Sequence, residues 1–134
     1  ENGFEVVERM DTKGEFELAL EAAQKILEEH PDISAIMCGN DQLAVAAKAA
    51  VNVAELDNVI IYGVDGSPDI KKELKKPENQ IAGTAAQSPI NMGKTAVKVA
   101  TALLADKDYE KDNYEETFFI NRDNVEMYGT DGWQ

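Results

Sequence analysis

Asn40, Asp65 and Gln87 each stand within two residues of the end of an apolar run, the runs being 33–38, 59–64 and 81–86. An amide carries a donor and an acceptor together, and a carboxylate accepts at two oxygens. Such a set suits a polyhydroxylated molecule, because every hydroxyl both donates and accepts and a planar side chain can bridge two neighbouring hydroxyls. Catalytic machinery is not visible: no nucleophile is paired with a base. Cys38 has only His30 to join it, which gives no zinc spacing. Gly39, Gly63 and Gly66 fit neither GxGxxG nor the lysine-bearing phosphate loop. The expectation is a binding protein with no cofactor and no metal.

Each of the three positions also has a local structural reading. Asn40 or Asp41 can cap a helix running from Gln42. The division expected is that Asp41 caps and Asn40 projects. Asp65 can form an Asx-type turn before Gly66, although Ser67 with Pro68 already supplies a cap for the next helix. Gln87 precedes its own cap, Ser88, and is otherwise an exposed hinge residue. Asp11 is a helix cap before it is a ligand contact. His30, beside Pro31, is a surface residue at a helix end. Trp133 anchors a docked tail rather than offering a stacking platform.

The elements that must position these residues follow from periodicity. Residues 4–7 are a short apolar stretch with strand character. Thr12 and Glu15 have capping-box spacing, so a helix is expected from there, with Phe16, Ala19, Leu20, Ala23, Ile26 and Leu27 on one face and Pro31 ending it. Residues 33–38 are the next strand. Leu43, Ala46, Ala47, Ala50 and Val51 mark a second helix. The run VIIYGV, 59–64, is continuous in the manner of a strand covered on both faces. A short helix opens at Ser67–Pro68, a weaker strand spans 81–86, and Ser88–Pro89 opens a long helix carrying Ile90, Val97 and Leu103 toward a core. TFFI, 117–120, is the last strand, and 121–134 is a polar coil. Five strands therefore alternate with four helices, which predicts an α/β fold with a mostly parallel sheet flanked by helices. In such a sheet ligands bind beyond the carboxyl ends of the strands. Asn40, Asp65 and Gln87 should then share one rim.

With 134 residues, 43% of them hydrophobic and 29% charged, the chain suits one globular domain. Its formal net charge of −13 argues against a nucleic-acid partner, which needs clustered lysine and arginine. The run DKDYEKDNYEE, 106–116, reads as a solvated connection. No apolar stretch approaches the ~20 residues that span a bilayer. The chain opens at Glu1 rather than methionine and so reads as a processed or truncated product, in which a missing leader carries no information about location.

The segments EEHPDISAI, GNDQLA, YGVDGSPD and AAQSPINMGKTAV, in this order and spacing, resemble the type I periplasmic sugar-binding proteins, the ribose-binding-protein group of ABC-transporter receptors. The resemblance covers nearly the whole chain but only the C-terminal half of such a receptor. It implies two α/β lobes closing on a sugar, with Asn40, Asp65 and Gln87 as contacts from the C-terminal lobe. It implies that 1–87 belong to that lobe, that 88–121 return to the N-terminal lobe in the intact fold, and that 122–134 are a tail. Where the family often carries aromatic residues, Lys13, Gly14 and Val64 stand here, with Phe16 slightly displaced. The implied partners are a sugar and a membrane permease, and the implied location is extracytoplasmic. With the rest of the receptor absent, the helix from Pro89 either folds onto its own sheet or is exposed and drives self-association. Weak or no sugar binding is expected of the chain alone.

Two other functions compete. A LacI-type transcription regulator has an effector-binding core with this fold and similar motifs, and VDGSPD and the DGWQ ending favour the receptor over it. A small flavodoxin-like enzyme would have to use Asp65 or Asp41 as its acid or base.

Overall fold

The computed structural model describes residues 3–77 and 79–133. Four helices and four strands follow one another as α1 (Phe16–Glu29), β1 (Ala35–Met37), α2 (Asp41–Val53), β2 (Ile60–Asp65), α3 (Pro68–Leu74), β3 (Ile81–Ala86), α4 (Pro89–Leu104) and β4 (Phe118–Asn121). The sheet order is β1-β2-β3-β4. The first three strands run parallel and β4 is antiparallel to β3. The mostly parallel α/β sheet expected from the sequence is therefore present, with four strands among the described residues rather than five. Residues 4–7 form no strand, and Phe4 is 88% exposed. That stretch finds no strand partner among the described residues, so its β-forming side chains have nothing to pack against.

Helix α1 starts later than the capping-box spacing predicts. Lys13 and Gly14 take positive φ values of 53° and 77°. The Asp11 carboxylate accepts from the Lys13 N–H at 2.9 Å, and the Glu15 N–H donates to the Thr12 carbonyl at 2.9 Å. Thr12 and Glu15 thus bracket a turn, and Asp11 stabilises that turn instead of capping a helix. Once started, α1 buries Ala19, Ala22, Ala23 and Leu27 and packs along α2, which buries Ala44, Ala46, Ala47, Ala50 and Val51. Alanine on both surfaces lets the two helices approach closely. Helix α2 lies on β1, β2 and β3, and α3 adds Ile70 and Leu74 to the same core.

Strand β2 is covered on one face, not two. Ile61 and Gly63 are buried, whereas Ile60 is exposed and Tyr62 half-buried. Helix α4 explains the difference. It begins as predicted, the Ser88 hydroxyl accepting from the Asn91 N–H at 3.2 Å. Yet none of its residues is buried, so it does not face a core, and Val97, Leu103 and Leu104 lie open. The charged connection 106–116 is largely exposed, as its composition implies.

The tail is not simple coil. After β4 it forms a 3₁₀ turn, Val125–Met127, that inserts Val125 into the core, and Tyr128 stacks on Phe118 at 5.1 Å between ring centroids. Strand β3 accepts β4 because its residues are small. A Cβ on Gly83 would collide with the Phe119 ring and the Ile120 carbonyl. Gly83→Ala should therefore cost about 1–3 kcal/mol through overpacking, read as a lower midpoint in urea unfolding.

Candidate functional site

The rim at the carboxyl ends of the parallel strands is organised by Asp41, the first residue of α2. Asp41 is 2% exposed, and both oxygens of its carboxylate are engaged. One oxygen accepts from the Ser67 N–H at 2.6 Å and the other from the Thr84 hydroxyl at 2.6 Å. Thr84 Oγ1 in turn accepts from the Gly66 N–H at 3.3 Å. One buried acid thus ties the start of α2 to the β2–α3 loop and to β3. Burial pushes its pKa up, partly countered by the hydrogen bonds from Thr84 and Ser67, while the nearby Asp65 charge adds to the rise. Gly63 lies directly beneath, and a Cβ there would strike the Asp41 carboxylate.

Asn40 is the true N-cap of α2. Its Oδ1 accepts from the Leu43 N–H at 2.9 Å. The expected division is reversed: Asp41 is turned inward by two donors and Asn40 takes the cap. Capping occupies only the amide oxygen. The Asn40 Nδ2 faces the turn at Gly14, where a Cβ would lie 3.4 Å away.

Asp65 ends β2 with φ of 121°, a region that side chains rarely adopt. Strain of this kind costs on the order of 1–3 kcal/mol and persists only when neighbours enforce it. Here the Gln87 N–H donates to the Asp65 carbonyl at 3.1 Å, and Gly66 and Ser67 are held by Thr84 and Asp41. The Gln87 side-chain amide also donates to the Asp65 carboxylate at 3.1 Å. Asp65 and Gln87 are therefore a preformed pair. Asn40 and Asp65 line a common hollow of about 480 Å³, whose wall also includes Phe16, Ser67 and Trp133. Gln87 touches Asp65 but does not line that hollow.

The structure bears on the other candidates too. Cys38 is half-buried, and burial with the Asp41 charge beside it pushes its thiol up to about 11, so it stays protonated at neutral pH. Glu8, Glu29 and His30 bring ligand-type atoms within 4.8 Å of one another, but on exposed surface where acidic groups gather without an ion. His30 itself closes α1, its N–H donating to the Ile26 carbonyl at 2.8 Å. A second hollow of about 560 Å³, lined by Lys48, Asn52, Asp57, Asn79 and Gln80, lies at the amino end of the strands, away from the rim. Sequence reading missed the inward role of Asp41. Thr84, a hydroxyl in a strand of otherwise small and apolar residues, was the available signal.

Residues 1–108 match a family described as "Periplasmic binding protein domain". The chain belongs to the periplasmic binding protein family. Members of this family bind ligands and do not catalyse reactions on them. A ribose import binding protein from Salmonella typhimurium is 36% identical over 85 residues, which are 63% of this chain and 28% of the relative. A D-ribose/D-allose-binding protein from Pseudomonas aeruginosa is 32% identical over 118 residues, 86% of this chain and 36% of the relative. This periplasmic-binding-protein chain thus spans about a third of the length of such relatives. Among solved structures, a solute-binding protein from Bacillus halodurans with bound myo-inositol superimposes with a TM-score of 0.84 at 29% identity, covering 95% of this chain and 44% of that one. The Caulobacter myo-inositol binding protein gives 0.84 at 26% identity, covering 94% and 43%.

Truncating Asp41 strands the Ser67 N–H and the Thr84 hydroxyl. Asp41→Ala should cost about 1–3 kcal/mol at neutral pH. Because the folded pKa of Asp41 is raised, its contribution is greatest below the ordinary aspartate range and declines as pH rises through the raised value. Urea titrations across that window should show the gap between wild type and variant narrowing as pH increases.

Proposed function

We propose that the chain is the C-terminal portion of the sugar-binding receptor of an ABC transporter, taking a monosaccharide-like ligand between two lobes. The observation that carries this reading is the rim: Asn40, Asp65 and Gln87 come from three separate strand ends, Asp65 is hydrogen-bonded to Gln87, and Asn40 and Asp65 share one hollow. A carboxylate and an amide on the wall of the hollow, with a second amide bonded to that carboxylate, form the donor and acceptor pattern that vicinal hydroxyls require. The ribose and D-allose named for relatives, and the myo-inositol bound in structural neighbours, are polyols of this kind.

On this reading Asp65 holds the sugar through charge-assisted hydrogen bonds, Gln87 orients Asp65 and adds its own contact, and Asn40 offers its free Nδ2. The other lobe supplies the remaining contacts, a membrane permease is the partner, and the location is extracytoplasmic. Within residues 88–121, the part proposed to join the other lobe is α4 with the connection that follows, since β4 pairs with β3. The uncovered face of α4 supports that assignment. The regulator weighed above is disfavoured by relatives named as import binding proteins for ribose and for D-apiose.

In the full-length protein, Asp65→Ala should weaken sugar binding by about 2–3 kcal/mol, since its loss leaves ligand hydroxyls unpaired. Calorimetric titration with D-ribose, D-allose and myo-inositol measures it, and a Kd unchanged within twofold would count against the site. For the 134-residue chain alone, α4 exposes enough apolar surface to drive self-association. Sedimentation should therefore show dimers or larger species, and a compact monomer would exclude that.

A further inference from the structure

Trp133, the only tryptophan of the chain, is held in an unusual way. Lys71, on α3, has no exposed surface, and its Nζ donates to the Gly132 carbonyl at 2.6 Å. Burying an ammonium is costly unless it gains partners, and here they are the backbone carbonyl next to the indole together with the charges of Asp131, also in the tail, and Asp41. The tail is thereby fixed within one residue of Trp133. An indole tethered only to anchor the tail would be expected to disappear into the core. Trp133 instead remains 44% exposed and forms part of the wall of the hollow that Asn40 and Asp65 line.

Of the side chains on that wall, two are aromatic, Phe16 and Trp133. The nearby positions Lys13, Gly14 and Val64 contribute no ring. We propose that Trp133 is a ligand-contacting residue, its indole face packing on the apolar C–H face of the sugar while Asn40 and Asp65 bond the hydroxyl edge. This inference rests on the receptor reading given above. The chemistry is complementary: a pyranose or inositol ring has a hydroxylated edge and a C–H face, and an aromatic ring offers a flat, weakly negative surface to the latter. The Lys71 tether makes the contribution larger, because an indole already positioned loses little freedom on binding.

The test is calorimetric titration of the full-length protein with D-ribose, D-allose and myo-inositol, using Trp133→Leu, Trp133→Phe, Lys71→Met and Asp65→Ala. Leucine keeps an apolar tail anchor but removes the aromatic face, so Trp133→Leu should weaken the best-bound polyol by roughly tenfold, while Trp133→Phe stays within about threefold. Lys71→Met, which keeps the buried chain but frees the tail, should weaken binding in the same direction as Trp133→Leu. Equal affinity of Trp133→Leu and wild type within twofold, with Asp65→Ala still impaired, would overturn the role of Trp133 and leave the receptor reading standing. Equal losses in the Leu and Phe variants would also overturn it, by reducing Trp133 to an anchor. Failure of the wild type to bind any of the three polyols would bring down both readings.

Discussion

The buried Asp41 carboxylate is the constraint on which the rest of the rim depends. An acid placed in a largely apolar interior is stabilised only if its oxygens are satisfied, and here Ser67 and Thr84 satisfy them. Those two donors belong to the β2–α3 loop and to β3, so satisfying one carboxylate fixes three segments relative to each other. The position of Asp65 follows. Its unfavourable backbone angle is imposed by a loop whose next two residues are both held through this network, and Gln87 completes the clamp. A rim built this way is rigid before any ligand arrives, which reduces the ordering cost of binding.

Much of this architecture was legible in the sequence because it rests on local rules. Period-three-and-four apolar patterns mark α1 and α2, and Ser-Pro pairs open α3 and α4 where expected. The three parallel strands, and hence the common rim of Asn40, Asp65 and Gln87, follow from the alternation of elements. What was not legible was long-range. Asn40 and Asp41 are equivalent candidates for a cap when only their own helix is considered. Thr84, 43 positions away from Asp41, decides which of them turns inward. Likewise 4–7 carry the composition of a strand, but pairing requires a neighbour, and composition does not supply one. The apolar run 59–64 shows the same gap, since it records that both faces of β2 tolerate burial without recording what covers them.

The tail shows that polarity alone is a poor guide to order. Residues 121–134 contain few apolar side chains, yet Val125 enters the core, Tyr128 meets Phe118, and Lys71 reaches Gly132. Isolated contacts at spaced positions are enough to dock a segment that has no periodic pattern. Helix α4 is the converse case. Its pattern is strongly amphipathic and its first turn is capped, but none of its residues is buried and Val97, Leu103 and Leu104 on its apolar stripe lie open. Helix formation and helix burial are thus separate outcomes here, the first set locally and the second by what lies beside it.

Strand β1 forms one margin of the sheet and is only three residues long. A margin strand presents backbone donors and acceptors that another extended peptide can use, which is how sheets grow across molecules. Brevity restrains that growth, since so short a strand offers few backbone hydrogen bonds to an incoming chain. The exposed Met37 at its end supplies a sticky contact without the length to make it a durable one. Lengthening β1 by substituting strand-forming residues for its polar flank would remove this restraint and turn a tolerated margin into a route to fibrous assembly.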